Sequence, residues 1–299
     1  MIRTLFAAAL LAATAAPALA QPATPSAAAA TLPADARFTV TVEGSGPDVI
    51  LIPGLSSPRA VWDGARAALR GKYRLHLVEM KGFGGSAPGP NLDGRILDTT
   101  VDQLAAYAAA NHLKAPAVVG HSMGGLIGLM LARKHPEAVG KLMVVDALPF
   151  IGEIFSPNAT VAMLEPQARM MRDMMAASFG KPANPAVTAQ IAATNALKPA
   201  SQAQVAAWVT TADPRITAAA MYEDMTTDLR PDMAKIATPV TLLYPWAEGR
   251  VPKERADALY RGAYAPAKAV TYVPVADSGH FIMLDQPAAF DAALTAFLK

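Results

Sequence analysis

The distribution of apolar and polar residues predicts alternating strands and helices along most of the chain. Short apolar runs predict buried strands, and apolar residues spaced three or four apart predict amphipathic helices between them. The first strand alternates apolar and polar residues, as expected at a sheet edge. The predicted strands are 37–42, 48–53, 73–79, 116–120, 141–145, 238–244 and 270–275, and the predicted helices of this part are 58–70, 95–112, 123–134, 253–260 and 287–297. Short connections between them favour an α/β fold with a mostly parallel sheet and helices on both faces.

This alternation stops between residues 149 and 230, where only helical periodicity is found. The chain is therefore predicted to form one α/β core, residues 36–148 and 231–299, interrupted by a helical insertion, or lid, at 149–230. The insertion is rich in methionine, whose flexible side chain suits an adaptable apolar pocket. We hypothesise that such a pocket is partly lined by the methionines from Met163 to Met175 and by Trp208, Met221, Tyr222 and Met225.

The N-terminus has the pattern of a secretory signal peptide. Arg3 precedes an apolar stretch at 5–15, and Ala18-Leu19-Ala20 forms a small-x-small cleavage site before Gln21. The apolar stretch is too short to span a bilayer, so no stable membrane anchor is expected. We predict cleavage after Ala20, export to the periplasm or the medium, and a flexible linker at 21–35, which is rich in Ala, Pro, Thr and Ser.

Composition narrows the classes of function. The 299 residues are 53% hydrophobic and 17% charged, which is typical of a well-buried globular protein. Because 26 basic residues nearly balance 24 acidic ones, nothing indicates binding to nucleic acid. The chain has no cysteine, which excludes disulfides and thiolate nucleophiles. Neither a metal-binding spacing nor a nucleotide-binding loop is present, so no metal and no cofactor are expected.

A predicted strand, 116–120, runs into the sequence Gly120-His121-Ser122-Met123-Gly124-Gly125, which leads into a predicted helix. Gly-x-Ser-x-Gly between a strand and a helix is the nucleophile elbow, a sharp turn that lifts a serine hydroxyl out of the sheet. Glycine is needed at the flanking positions because the strand and helix backbones nearly touch. Ser122 is therefore the candidate nucleophile.

A serine hydroxyl needs an adjacent base, and five histidines are available. His76 lies inside a strand, His112 and His135 close helices, and His121 leaves the elbow in another direction. His280 follows the last strand, at the carboxyl edge where parallel sheets bind ligands. His280 is therefore the candidate base.

With these residues, the chain resembles the α/β-hydrolase superfamily over its whole mature length. It is most similar to lidded serine esterase-like members with the elbow Gly-His-Ser-Met-Gly-Gly. The segment 79–84, with Glu79 where the family has Asp, and the segment 279–287 around His280 also resemble the family. The resemblance implies a Ser-His-acid catalytic triad and an oxyanion hole of two backbone N–H groups.

The resemblance leaves two acids open for the triad. Glu248, in the segment 245–252, stands where the family usually has Asp after the strand that follows the lid. Asp146 ends the strand before the lid, an edge position that some family members use. We favour Glu248. The oxyanion donors are assigned to the N–H groups of Leu55, in a Pro-Gly loop where the family usually has His-Gly, and Met123.

The sequence thus predicts a secreted serine hydrolase, a carboxylesterase that cleaves small to medium apolar esters through an acyl-enzyme. The same residues also serve lactonases, thioesterases, carbon–carbon bond hydrolases and aminopeptidase-like enzymes. A different class, a receptor-like protein that binds a ligand with little turnover, is the remaining alternative. The expected partner is a small-molecule ester, and the oligomeric state is left open.

Overall fold

A single seven-stranded sheet forms the centre of the computed structural model, which describes residues 31–299. The predicted signal peptide and most of the predicted linker therefore lie outside the described residues. The strands are β1 (Phe38–Gly44), β2 (Asp48–Ile52), β3 (Arg74–Met80), β4 (Ala117–His121), β5 (Lys141–Val145), β6 (Val240–Trp246) and β7 (Val270–Ala276). All seven overlap the strands predicted from the sequence.

The order of the strands is β1-β3-β2-β4-β5-β6-β7. Strand β1 pairs antiparallel with β3 at one edge, and every other pair in the described sheet is parallel. The predicted fold class, an α/β fold with a mostly parallel sheet, is confirmed. Because all the parallel strands end at one edge, the loops that follow β2, β4, β5 and β7 converge there.

Helices cover both faces of the sheet. The helices are α1 (Asp63–Leu69), α2 (Leu97–Ala110), α3 (Met123–Lys134), α4 (Val161–Ala176), α5 (Pro185–Asn195), α6 (Pro199–Thr211), α7 (Pro214–Thr226), α8 (Lys253–Tyr264), α9 (Ile282–Asp285) and α10 (Pro287–Leu298). Along β2, Ile50 and Ile52 pack on one face in the core shared with α2, α3 and α8, while Val49 and Leu51 pack on the other with α1 and α10. Burial on both faces explains why this strand is a continuous apolar run rather than an alternating one.

The segment between β5 and β6 is helical, with α4 packed on α7 and α5 packed on α6. We call residues 149–230 the helical insertion. Three of its four described α-helices begin at side-chain caps: Thr160, Asn184 and Asp213 accept N–H groups of the first turns of α4, α5 and α7. Among the described helices, none has the length and apolar character required to cross a bilayer.

The methionines of the insertion do not form the predicted pocket, which corrects the hypothesis made from the sequence. Met221 and Met225 are buried against Ala168 between α4 and α7. Met163 and Met174 point outward and are more than two-thirds exposed, at 69% and 68%. The periodicity that places residues on one helix face does not say whether that face meets the core, the site or solvent.

The turn from β4 to α3 is the point of closest backbone approach in this part of the fold. A Cβ atom on Gly120 would lie 2.1 Å from the carbonyl oxygen of Gly124. A Cβ on Gly124 would lie 2.3 Å from the carbonyl oxygen of Ile52, at the end of β2. Both contacts are with backbone atoms, which cannot move aside as a flexible side chain can. Strand β2, strand β4 and helix α3 can therefore meet only because these positions are glycine.

Gly124→Ala is expected to lower the free energy of unfolding by more than about 3 kcal/mol, because β2 and α3 must separate to admit the methyl group. The matched control is Gly64→Ala in α1, where an added Cβ meets no atom within 4 Å. That change should be neutral or raise stability by up to about 1 kcal/mol. Urea unfolding followed by circular dichroism measures both. Equal midpoints for the two variants would contradict the close approach.

Candidate active site

Ser122 occupies the turn between β4 and α3 in a strained conformation, with φ 54° and ψ −126°. The turn is held by its own backbone: the Ser122 N–H donates to the carbonyl of Val145 at 2.9 Å, and the Ser122 carbonyl accepts from the N–H of Gly125 at 2.7 Å. Strain of this kind in a non-glycine residue persists only when the surrounding structure imposes it. The result is a serine fixed at the N-terminal end of α3, above the carboxyl edge of the sheet.

Asp146 and His280 meet beside this serine. Asp146 directly follows β5, and His280 lies in the loop after β7. The Nδ1–H of His280 donates to Oδ2 of Asp146 at 2.6 Å. Because a carboxylate only accepts, this bond fixes the tautomer in which Nε2 is the free, basic nitrogen. Ser122, Asp146 and His280 all line one cavity of about 140 Å³.

Glu248 lies outside this arrangement, which corrects the preference for Glu248 over Asp146. Strand β6 continues to Trp246, and residues 248–250 form an exposed turn closed by a bridge between Ala247 and Val251. The side chain of Glu248 is in solvent and does not line the cavity. Of the two acids that the sequence left open, Asp146 is the one that contacts His280.

Tyr260 is a site residue that the sequence analysis missed. It lies on α8, is 8% exposed, and its hydroxyl donates to Oδ1 of Asp146. Burial and then the Asp146 carboxylate raise the pKa of Tyr260 well above its usual value, so the phenol stays a donor. Both carboxylate oxygens of Asp146 are thus engaged, one by Tyr260 and one by His280. No sequence motif marks Tyr260, because a helix distant in sequence brings it to β5.

The loop that carries His280 is held in place by hydrogen bonds to a buried carboxylate. Asp285, which is fully buried, accepts the N–H of Gly279 at 2.9 Å. The same carboxylate accepts the N–H groups of Leu197 and Lys198, at the entry to α6, at 2.8 Å and 3.1 Å. Asp285 therefore joins the histidine loop to the helical insertion.

His121 also supports His280, although the sequence analysis set it aside because it leaves the elbow in another direction. It is fully buried, and its Nε2–H donates to the backbone carbonyl of His280 at 3.1 Å. The two imidazole rings lie 4.5 Å apart. Burial, and then the neighbouring His280, hold the pKa of His121 well below its usual value. His121 is therefore a neutral packing and hydrogen-bonding partner rather than a second base.

The predicted oxyanion donors lie on either side of the elbow. Met123 is the first residue of α3 and lines the cavity, and its N–H has no partner within the helix. Leu55 lies in the loop after β2, where a Cβ on Gly54 would come 2.9 Å from Cβ of Ser122. The hydroxyl of Ser56 in the same loop is hydrogen-bonded to that of Thr217 on α7 at 2.8 Å. The loop is thus clamped between the elbow and the helical insertion.

Glu79, which stands where the related family has Asp, supports this loop region from a distance. Its side chain is buried and accepts the backbone N–H of Arg59 at 2.7 Å and the Arg59 Nε–H at 2.9 Å. It does not line the cavity. Glu79 therefore has a structural role: its hydrogen bonds join β3 to the segment that follows the β2 loop.

The wall of the cavity is mainly apolar. It includes Met123, Leu126, Ala147, Leu148, Ile151 and Ile154. Besides Ser122, Asp146, His280 and Tyr260, the polar side chain of Asp224 on α7 lines the cavity, and it has no side-chain hydrogen bond to any described residue. Burial raises the pKa of Asp224 to about 7, against the opposing effect of His280. No sequence signal pointed to Asp224.

A second cavity, of about 370 Å³, lies at the opposite edge of the sheet, near the amino ends of β2 and β4. It is larger, but Tyr73, His112 and Lys114 in its wall do not form a nucleophile–base pair. Within residues 31–299, no group of three or more His, Asp or Glu side chains is arranged to hold a metal ion. The candidate chemistry is therefore concentrated at the smaller cavity.

Comparison with known proteins shows the family to which the chain belongs. The profile of a family described as "Alpha/beta hydrolase family" matches residues 49–293. A pimeloyl-[acyl-carrier protein] methyl ester esterase of Vibrio atlanticus is 28% identical over 271 residues, which cover 86% of this chain and 96% of the relative.

Two solved structures share the fold. An esterase from Thermogutta terrifontis superposes with a TM-score of 0.71 at 20% identity, covering 87% of this chain and 92% of its own. An enol-lactonase from Burkholderia xenovorans superposes with a TM-score of 0.70 at 18% identity, covering 87% and 96%. At these identities the structures show the fold alone, whereas the family profile spans most of the chain. The protein belongs to the alpha/beta hydrolase family.

Proposed function

We propose that this protein is a serine carboxylesterase that cleaves small to medium apolar esters through an acyl-enzyme. The observation that carries the proposal is the hydrogen bond from His280 Nδ1–H to Asp146, beside a strained serine on the same cavity. A base whose tautomer is fixed by a buried acid, next to a serine at a helix N-terminus, is the arrangement that acyl transfer requires.

In the acylation step, Nε2 of His280 takes the proton of the Ser122 hydroxyl as Oγ attacks the ester carbonyl. Asp146 holds the ring in orientation and stabilises the imidazolium that forms. The imidazolium then gives its proton to the departing alkoxide, and the alcohol leaves. The acyl group remains on Ser122.

The negative charge on the tetrahedral intermediate is stabilised by the N–H groups of Leu55 and Met123. Such donors act best when they are already fixed, and each contributes about 3 kcal/mol in the transition state. The clamp between Ser56 and Thr217 fixes the first donor's loop, and the first turn of α3 fixes the second. In deacylation the same groups act on water, with His280 as the base.

The mainly apolar wall of the cavity favours an ester with an apolar acyl group of modest size. A relative that covers most of the chain is named as a methyl ester esterase, which supports ester hydrolysis as the reaction class. The natural ester of this chain is not specified by that name, because a pocket wall changes more readily than the residues that perform the chemistry.

We also propose that the protein acts outside the cytoplasm. The support is the sequence of residues 1–20, with Arg3, an apolar stretch and a small-x-small site at Ala18-Leu19-Ala20.

Expression of the full chain in a bacterium with a periplasm should yield a protein that begins at Gln21. Osmotic-shock fractionation with N-terminal sequencing measures this, and a variant with Ala18 and Ala20 replaced by large residues should accumulate uncleaved. Recovery of the wild type in the cytoplasm with residues 1–20 intact would contradict export.

Ester hydrolysis is tested with p-nitrophenyl esters from acetate to laurate, using protein that lacks residues 1–20. Wild type should hydrolyse the shorter esters best, because the cavity is small, and Ser122→Ala should lose activity by about a thousandfold or more. Activity that persists in folded Ser122→Ala would contradict the assigned nucleophile. Folded wild type that is inactive on every ester would contradict the esterase proposal.

The choice of acid is tested by two matched substitutions. Asp146→Asn should lower kcat by about a thousandfold or more, because the amide supports the wrong imidazole tautomer. Glu248→Gln should leave kcat within about twofold of wild type, because its carboxylate is in solvent. Steady-state kinetics with circular dichroism on each variant makes the comparison. The opposite ranking of the two variants would assign the acid to Glu248.

A further inference from the structure

Asp224 is a carboxyl group of the helical insertion that faces the catalytic cavity and is not used by the mechanism above. It lies on α7 and lines the cavity with Ser122 and His280. Its neighbours along the helix have partners: the carboxylate of Glu223 accepts the N–H groups of Ile96 and Leu97. Asp224, in contrast, makes no side-chain hydrogen bond or ion pair with any residue in the described part of the chain.

The arginines of the insertion do not neutralise Asp224. Each of them pairs with a carboxylate nearby in the chain: Arg169 with Glu165, Arg172 with Asp173, Arg215 with Asp213 and Arg230 with Asp228. None of the four lines the cavity. Burial raises the pKa of Asp224 to about 7, as expected for a carboxyl group without a positively charged partner in contact with it.

Asp224 is also not needed to orient the base. Nδ1 of His280 is already held by Asp146, and Oδ1 of Asp146 is held by Tyr260. The ring orientation and the tautomer are therefore set on the side away from the insertion. A carboxylate that faces substrate space without orienting the base is free to bind the substrate itself.

A cation is the group that such a site recognises best. Asp224 is half-buried in a mainly apolar wall, where a carboxylate is less well solvated than at the surface, and an ammonium group of the substrate supplies the missing partner. A carboxylate on the substrate would instead be repelled. Interactions between charges are stronger in a partly water-excluded cavity than at the surface.

Resting on the proposed esterase function, we infer that Asp224 is the specificity-determining residue of this site. It selects esters that carry an ammonium group close to the scissile bond. The inference deepens the proposed function by naming the substrate class, and it places recognition on the insertion and chemistry on the sheet.

The experiment is run at pH 8, above the raised pKa of Asp224, so that its carboxyl group is mostly ionised. It compares acetylcholine with neohexyl acetate, the isostere in which carbon replaces the quaternary nitrogen. Wild type should show a kcat/KM about tenfold or more higher for the cationic ester. Asp224→Asn should bring the ratio close to one, and because both esters are compared in the same variant, a general change in activity does not alter that ratio. The matched control is Asp173→Asn, which removes an exposed carboxylate from α4 and should leave the ratio unchanged.

A binding measurement separates this inference from the esterase proposal. Calorimetric titration of Ser122→Ala with the same two esters should give tighter binding of the cationic one, and the added change Asp224→Asn should abolish that preference. Equal affinities and equal kcat/KM for the two esters overturn the inference, as does a preference that survives Asp224→Asn. A binding preference without hydrolysis by wild type would overturn the esterase proposal and keep the role of Asp224.

Discussion

The structure depends on one close approach, between the end of β2, the end of β4 and the start of α3. A side chain at Gly120 or Gly124 would collide with backbone atoms, so glycine there lets the strand turn into the helix within one residue. That residue is Ser122, and the turn imposes its positive φ. The same contact brings the β2 loop, with Leu55, beside the serine. The strain at Ser122, its place at the N-terminus of α3 and the position of the β2 loop beside it are thus consequences of a single packing constraint.

The parallel sheet then supplies the remaining groups at the same edge. Strand β5 pairs with β4 so that Val145 lies beside His121, which puts Asp146 next to Ser122. Strand β7 delivers His280, and helix α8, between β6 and β7, delivers Tyr260 beneath the acid. Helix α7 of the insertion covers the cavity and places Asp224 in its wall. Ser122, Asp146 and His280 are therefore positioned by the sheet, whereas the insertion adds Ile151, Ile154 and Asp224 to the cavity wall.

The sequence predicted the parts of this arrangement that are local. Each strand is a short apolar run, the elbow is a contiguous motif, and His280 could be reached by eliminating four other histidines. Glu248 was wrongly preferred as the acid because the choice rested on its position in a family motif. The register in which the strands pair decides which acid reaches His280. Strand β6 continues two residues beyond its predicted end, so Glu248 falls in an exposed turn. Asp146 reaches His280 through strand pairing, which a single sequence does not display.

Tyr260, His121 and Asp224 were missed for the same reason. Each acts through a partner distant in the chain, and none belongs to a motif. His121 illustrates the point, because its position next to the nucleophile was visible while its bond to the His280 carbonyl was not. Long-range contacts decide which polar residues are catalytic, which are supporting and which face the substrate.

The most direct test of the central claim, that Ser122 is activated by His280, is covalent labelling by an ethyl p-nitrophenyl phosphonate. The account predicts release of one nitrophenolate per chain and a phosphonyl group that peptide mass spectrometry locates on Ser122. It also predicts that His280→Ala labels far more slowly while remaining folded. Labelling of another residue, or an unchanged rate in His280→Ala, would contradict the account.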